Sequence, residues 1–404
     1  MLYKGYFSAL VYVFYKINHF IFNIFCFSKF FLYFCKLKTF CGIIMKRFIC
    51  SIALLCLVSL QCAFSQIARE VTNVGIMLPL HNVNGDGRRM LEYYRGFLMA
   101  VEKLKQEGRN VNIHAWNVPE DADIRSTLLQ EGANTCNVIF GPLYTKQVRQ
   151  LSDFCRAYNI TMVIPFSING NDVDNNPMIY QIYQSKDDFD AATVQQIVSH
   201  FNNCHPVFVD CNDSTSRKGT FTYSLRKSLE ANNIGYNITN LNSPDDAFAK
   251  SFSLSQPNLV ILNTGRSPEL TLAMNKLDRL LQANQNVSVT LFGYTEWLMY
   301  QHLNKERFSK YNAFIPTHFY YNEASSLTRE IEQKYRWRFH QDMMYAQPRF
   351  ALMGYDHAMF FLSANRQWVQ TPLKFVKQPN GGYRNKSFML VHYKQDGGIE
   401  AITE

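Results

Sequence analysis

Asn137–Ser167 reads NVIF, GPLYTKQVRQLSDFCRAYNI, TMVIPFS. The first apolar run ends in Gly141-Pro142, a stretch with helical spacing follows, and the second run ends in Pro165-Phe166-Ser167. Two short apolar runs separated by an amphipathic helix are the pattern of neighbouring parallel strands joined by a crossover helix. Both runs stop in small or turn-forming residues at their carboxyl ends. In open α/β sheets ligands bind at that edge.

The same alternation extends outward in both directions. Val74–Leu80 reads as a strand, followed by the polar turn Asn82–Gly87. Met90, Tyr93, Tyr94, Phe97, Val101 and Leu104 then recur at helical spacing until Gly108. Val111-Ile113-Ala115 alternate as a strand, and Asn176–Tyr183 reads as another. Beyond them lie strands at Pro206–Asp210, Tyr236–Thr239, Asn258–Asn263 and Val287–Phe292, with helices at Asp187–Phe201, Thr220–Asn232 and Leu270–Leu281 between them. Ser325–Arg336 and Phe350–Asn365 read as consecutive helices. Ser387–Lys394 reads as an edge strand that ends in the turn Gln395–Gly398. Sustained alternation predicts doubly wound parallel sheets with helices on both faces, and two sets of about five strands predict two lobes.

The 404 residues carry a formal net charge of +9, but residues 1–65 hold seven Lys+Arg and no acid. The remainder has 34 basic and 32 acidic residues, so the basicity is no argument for nucleic-acid binding. Met45 opens a secretory signal, residues 45–65. Lys46-Arg47 form the charged region, Phe48–Leu60 the apolar core, and Ala63-Phe64-Ser65 a cleavage site before Gln66. Gln61 fits poorly beside Cys62 for a lipoprotein signal, so periplasmic export is expected, with the membrane involved only through the leader. Residues 1–44 contain ten Phe, five Tyr and five Lys without an acid. Phe7–Ser28 is long and apolar enough for a span but carries Lys16 and His19 within it. The other reading is a spurious extension from a misassigned start, which N-terminal sequencing of the natural protein tests. Six of ten cysteines lie in the leader, and Cys136, Cys155, Cys204 and Cys211 are expected as free thiols.

Catalytic signatures are thin. Ser224-Leu225-Arg226-Lys227 matches SxxK without its SDN or KTG companions, inside an expected helix. GxSxG, HExxH, the P-loop and GxGxxG do not occur, and no Cys/His spacing points to a metal. Asp356 reads as a brace of its helix and His357 has no partner spacing. No enzyme activity, cofactor or metal is expected.

From residue 71 onward the sequence resembles the type I periplasmic binding proteins, the family of leucine-binding proteins and receptor ligand-binding regions. The matching pieces are VGIMLPL (Val74–Leu80), YYRGFLMAVEKL (Tyr93–Leu104), FGPLYTKQVRQLSDF (Phe140–Phe154), VIPFS (Val163–Ser167), NLVILNTG (Asn258–Gly265) and GYDHAMFFL (Gly354–Leu362). Among its branches it looks most like one whose members can carry LysM wall-binding repeats upstream, though no such repeat is visible between Gln66 and Val74 and wall anchoring is not carried over. The resemblance implies two parallel-sheet lobes with a hinge, a Venus-flytrap. Lobe one would comprise 70–186 with 320–367, and lobe two 187–319 with 368–404.

The resemblance also implies which loops grip a ligand. In lobe one they are Gly141–Thr145 and Phe166–Asn169, offering Pro142, Tyr144, Thr145, Phe166 and Ser167. The Thr145 and Ser167 hydroxyls and a helix start near Thr145 suit a carboxylate or phosphate. The plainer reading makes Thr145 a helix cap and Pro142 a strand stop. Tyr183 is placed on the hinge side. In lobe two the loops are Asp210–Thr215, Asn263–Gly265 and Gly293–Trp297, with Asp210, Thr264, Tyr294 and Glu296 as candidates. Tyr294 and Trp297 would stack on a ligand and Glu296 would pair with an amine; against this, most of the 15% aromatic residues belong to cores and Glu296 suits a helix start. Phe166-Ser167-Ile168 stands where the family's amino-acid binders have small residues, which implies a larger, flatter or more apolar ligand, or none. Two functions stay open: a solute-binding protein working with an ABC permease, and an interaction protein of cell-wall synthesis, similar to peptidoglycan synthase activators.

Overall fold

The computed structural model describes residues 71–166 and 170–403. The expectations for the signal segment, for residues 1–44 and for Ser167 lie outside the described residues.

Strand periodicity builds the first half. In β1 (Thr72–Leu78), Val74, Ile76 and Leu78 enter one apolar core, while Met77 enters another on the opposite face. β3 (Val138–Phe140) splits likewise, with Val138 and Phe140 on one side and Ile139 on the other. Successive side chains of a strand point to opposite faces, so a sheet covered on both sides needs apolar residues at every position. Helix α1 (Gly85–Gln106) covers one face. Its Asn84 cap accepts from the Gly87 amide at 2.8 Å, and Met90, Tyr93, Phe97, Val101 and Leu104 point inward. α2 (Ile124–Leu128) and α3 (Val148–Ala157) cover the other.

With β2 (Val111–Asn117), β4 (Thr161–Ile164) and β5 (Ile179–Gln181), this sheet has the order β11-β12-β5-β4-β3-β1-β2. A short helix, α4 (Asp172–Asn175), precedes β5. The outer strands β11 (Phe375–Lys377) and β12 (Tyr383–Asn385) come from the end of the chain. The expected division put all of 368–404 in the second lobe; pairing of β12 with β5 places 375–385 in the first sheet instead. Three-residue strands such as YRN carry too little periodicity to be seen in sequence.

The second sheet has the order β14-β13-β10-β9-β8-β6-β7. Its parallel part is β6 (His205–Asp210), β7 (Asn237–Asn240), β8 (Asn258–Leu262), β9 (Val289–Phe292) and β10 (Phe314–Thr317). Around it stand α5 (Lys186–His200), α6 (Gly219–Ala231), α7 (Asp245–Ala249), α8 (Ser267–Ala283) and α9 (Gln301–Lys310). β13 (Met389–Tyr393) was expected at an edge. It is buried, because β14 (Ile399–Thr403) folds back across the predicted turn and pairs outside it. Each sheet therefore has seven strands, not five. The last two helices, α10 (Ser326–Phe339) and α11 (Phe350–Leu362), pack on the first lobe.

The chain crosses between sheets three times. It leaves the first sheet after Gln181, leaves the second after Thr317, and leaves the first again after Asn385. β12 runs parallel to β5, so both exits lie on one edge. Met389, where β13 begins, pairs with Thr317, where β10 ends. All three crossings thus depart from carboxyl edges, and the last arrives beside one.

Cross-links tie these segments together. The Gln184 amide donates to the Ser387 carbonyl at 2.7 Å, and the Asn385 amide to the Ile182 carbonyl at 3.1 Å. The Tyr320 N–H donates to the Gln370 carbonyl at 2.9 Å. Neighbouring side chains are sent to opposite lobes: Tyr320 and Trp368 join the second lobe's core, Tyr321 and Val369 the first lobe's. The four cysteines among the described residues are free; Cys136, Cys155 and Cys211 are buried and Cys204 partly so.

Candidate functional site

Lobe one offers the more open loops. Gly141 follows β3 with φ +142°, and a Cβ there would meet the Met77 carbonyl oxygen at 2.2 Å, so only glycine lets the chain turn against β1. Pro142 is buried behind it. Tyr144 is partly exposed, donates to Asp86 at 3.4 Å and precedes a single 3₁₀ turn, Thr145–Gln147, that leads into α3. Burial and then the Asp86 carboxylate push the Tyr144 phenol up. Thr145 is exposed. The Gln147 amide donates to the carbonyls of Pro119 and Ala122 at 2.9 and 3.2 Å, fixing this turn against the loop after β2. Tyr183 is 46% exposed beside the first crossing.

Phe166 has another role. Its ring meets Tyr93 edge-on at 5.4 Å and Phe350 at 6.1 Å, so much of its bulk is absorbed by the lobe's own core. The expectation of a larger ligand drew on that bulk.

In lobe two the candidates brace one another. Asp210 accepts from the Asn212 amide at 3.0 Å and from the Asn263 side chain at 2.8 Å. Thr264 is fully buried and donates its hydroxyl to Asp213 at 2.7 Å. Asp213 also accepts from the Thr215 hydroxyl at 2.7 Å and pairs with Arg266 at 3.3 Å. The Thr215 and Thr264 hydroxyls hold its carboxyl down at about 2. Tyr294 is buried and donates to the Leu262 carbonyl at 2.5 Å. Trp297, expected to stack on a ligand, is fully buried against Phe308, with centroids 5.9 Å apart. Both aromatics are turned inward because the strand end at Phe292 and the 3₁₀ turn Thr295–Tyr300 close over the lobe's core.

Glu296 stays half-exposed and accepts from the Lys218 ammonium at 2.6 Å, while that ammonium stands 4.3 Å over the Tyr294 ring. Lys218 and Arg266 were not legible as site residues. Lys218 meets Glu296 across 78 positions, and no local spacing signals such a pair.

Ser224 and Lys227 are exposed on α6, and Lys227 pairs with Glu230 at 3.1 Å. Asp356 is buried and accepts three backbone N–H groups, from Val369, Gln370 and Thr371, at 2.7 to 2.8 Å. Burial raises its carboxyl to about 7 against the pull of those donors. It braces a loop. Among the described residues no group of His, Cys, Asp or Glu is placed to hold a metal ion, and no helix is long and apolar enough to cross a membrane.

No family model matches this sequence, and no curated protein does. Solved structures match by shape. A putative branched-chain amino acid ABC transporter protein from Rhodospirillum rubrum is similar at 13% identity and a TM-score of 0.51, over 82% of this chain and 100% of that one. Full-length LpoA from Haemophilus influenzae is similar at 14% identity and a TM-score of 0.50, over 83% of this chain and 59% of that one. At such identities the likeness is one of fold. The chain has the two-lobed α/β fold of the type I periplasmic binding proteins.

Proposed function

We propose that this chain is an exported, non-catalytic binding protein whose lobes close on a small polar or amphipathic solute. The carrying observation is the topology of the crossings, which depart from the carboxyl edges of both sheets and so turn the strand-end loops toward one crevice. On this reading Tyr144, Thr145, Ser167 and Tyr183 meet the solute from lobe one. The Lys218–Glu296 pair meets it from lobe two and offers a cation and a carboxylate within one hydrogen bond, which suits a zwitterion such as an amino acid. Pro142 and Phe166 shape the first wall. Asp210, Thr264 and Tyr294 hold the second wall in place. Closure is favoured because only the closed form touches the solute from both sides.

An ABC permease is the partner this role needs. Export by the segment beginning at Met45, and kinship with the branch that can carry LysM repeats upstream, belong to the same proposal. A second reading, an interaction protein of cell-wall synthesis on this fold, is favoured by the way these loops spend their polar atoms internally, Asp210 on Asn212 and Asn263, and Asp213 on Thr264. Calorimetry and thermal shift against amino acids, short peptides and wall fragments decide between them. Saturable heat with a raised midpoint supports solute capture. Silence from all three classes, with a wall synthase retained from envelope extract, replaces it with the second reading.

A further inference from the structure

A cavity of about 280 Å³ lies at the hinge, lined by none of the crevice candidates. Its walls come from both lobes: Phe360 on α11, Phe388 from the third crossing, and Trp368, whose ring packs on the second lobe's core. Arg366 and Lys374 line it as well. Neither has a carboxylate partner among the described residues, and the Arg366 guanidinium stands 4.8 Å over the Phe360 ring.

Ser387 supplies the second observation. It is 4% exposed and lines the cavity, and its hydroxyl is buried without a hydrogen-bond partner among the described residues. Its backbone is fully used, the N–H donating to Asn385 at 3.0 Å and the carbonyl accepting from Gln184 at 2.7 Å. The side chain therefore sits on a stretch of crossing backbone that is anchored through both its N–H and its carbonyl. A buried hydroxyl without a partner costs about 1–3 kcal/mol. A donor held at such a cost inside a cavity calls for an acceptor from a ligand. Asp356 also lines the cavity, but the three backbone amides take up both of its oxygens.

We propose that this cavity is a second binding site, for a small amphipathic carboxylate whose aromatic or branched body lies among Phe360, Trp368 and Phe388. The carboxylate is held by Arg366, Lys374 and the Ser387 hydroxyl. The volume admits a compact ligand, since it falls just below the range of about 300–1,000 Å³ usual for drug-sized ligands. Because the walls belong to both lobes, occupancy biases the hinge and couples this site to the crevice, with equal effect in each direction. The site stands independently of what the crevice binds.

The test is calorimetry of the purified protein with phenylacetate and with phenylacetamide, its uncharged counterpart. The acid is expected to bind saturably and at least about tenfold more tightly than the amide, a factor worth about 1.4 kcal/mol. The Arg366→Gln/Lys374→Gln double variant, both positions being exposed, is expected to lose that preference with an unchanged unfolding midpoint. Ser387→Ala is expected to weaken the acid severalfold and not to lower the ligand-free midpoint. No heat from either compound, equal affinity for acid and amide, or a preference that survives the double variant overturns the proposal.

Discussion

Gly96 and Gly354 each stand against the backbone of the other's helix. A Cβ on Gly96 would lie 1.7 Å from the Ala351 carbonyl oxygen, and one on Gly354 would lie 1.9 Å from the Tyr93 carbonyl oxygen. The two glycines are why α1 and α11 touch almost without side chains between them. Residues 93–104 and 354–362 are also two of the stretches that carry the family resemblance, and they meet at this contact.

Gly354→Ala must push the helices apart or bend one of them. Overpacking of this kind typically costs about 1–3 kcal/mol, and backbone atoms yield less readily than side-chain tips. We expect a loss at or above the top of that range in urea unfolding, and a similar loss for Gly96→Ala. A change under about 0.5 kcal/mol, the scale of ordinary surface substitutions, refutes the close contact.

Asp356 gathers the amides of Val369, Gln370 and Thr371, which follow the α11 helix toward the hinge. Asp356→Asn keeps the shape but replaces one acceptor oxygen with a donor that faces N–H groups. Charged hydrogen bonds contribute about 1.5–3 kcal/mol each, so a loss of at least about 2 kcal/mol is expected. Hydrogen exchange should quicken first at residues 369–371. Unchanged protection there removes the bracing role.

His357 is buried, with its Nδ1 3.0 Å from the Tyr93 hydroxyl, and burial holds its imidazole down near 3 against an ordinary value of 6.5. Below pH 6.5 the unfolded chain takes up a proton that the folded chain refuses. The stability this group contributes is therefore complete above pH 6.5 and drains away toward pH 3, by up to about 1.4 kcal/mol per pH unit. Asp356, raised to about 7, acts with the opposite sign, so the comparison must be between the protein and His357→Gln. The variant's stability should fall by close to one proton's worth less per unit on acidification. Parallel curves, or a ring nitrogen signal showing the imidazolium at pH 5, count against it.

Thr264→Val separates bracing from binding in lobe two. It removes the hydroxyl donated to Asp213, so the Asp213 carboxyl should titrate upward from about 2 toward its ordinary 3.8, read by carbonyl NMR. If solute affinity falls while Asp213 titrates as before, Thr264 acts directly on the ligand instead.

How much of this was legible varies by element. The long helices and the central strands were legible because burial on both faces forces apolar residues at every strand position and a 3.6-residue stripe on each covering helix. Strands of three residues, such as Tyr383–Asn385, hold no period to read, and so the return of the tail to the first sheet was not visible. The described candidate loops lie at strand ends, where the sequence put them, but the inward turn of Tyr294 and Trp297 was not legible.

The sequence alone determined the alternation of strand and helix, the two-lobed architecture and the places where loops must lie. All of these follow from local periodicity and turn chemistry. Only the tertiary structure decided that Tyr294 and Trp297 face inward, that Thr264 serves Asp213, and that Lys218 finds Glu296. Those outcomes depend on contacts between residues dozens of positions apart, where packing and hydrogen-bond satisfaction, not local preference, set which way a side chain turns.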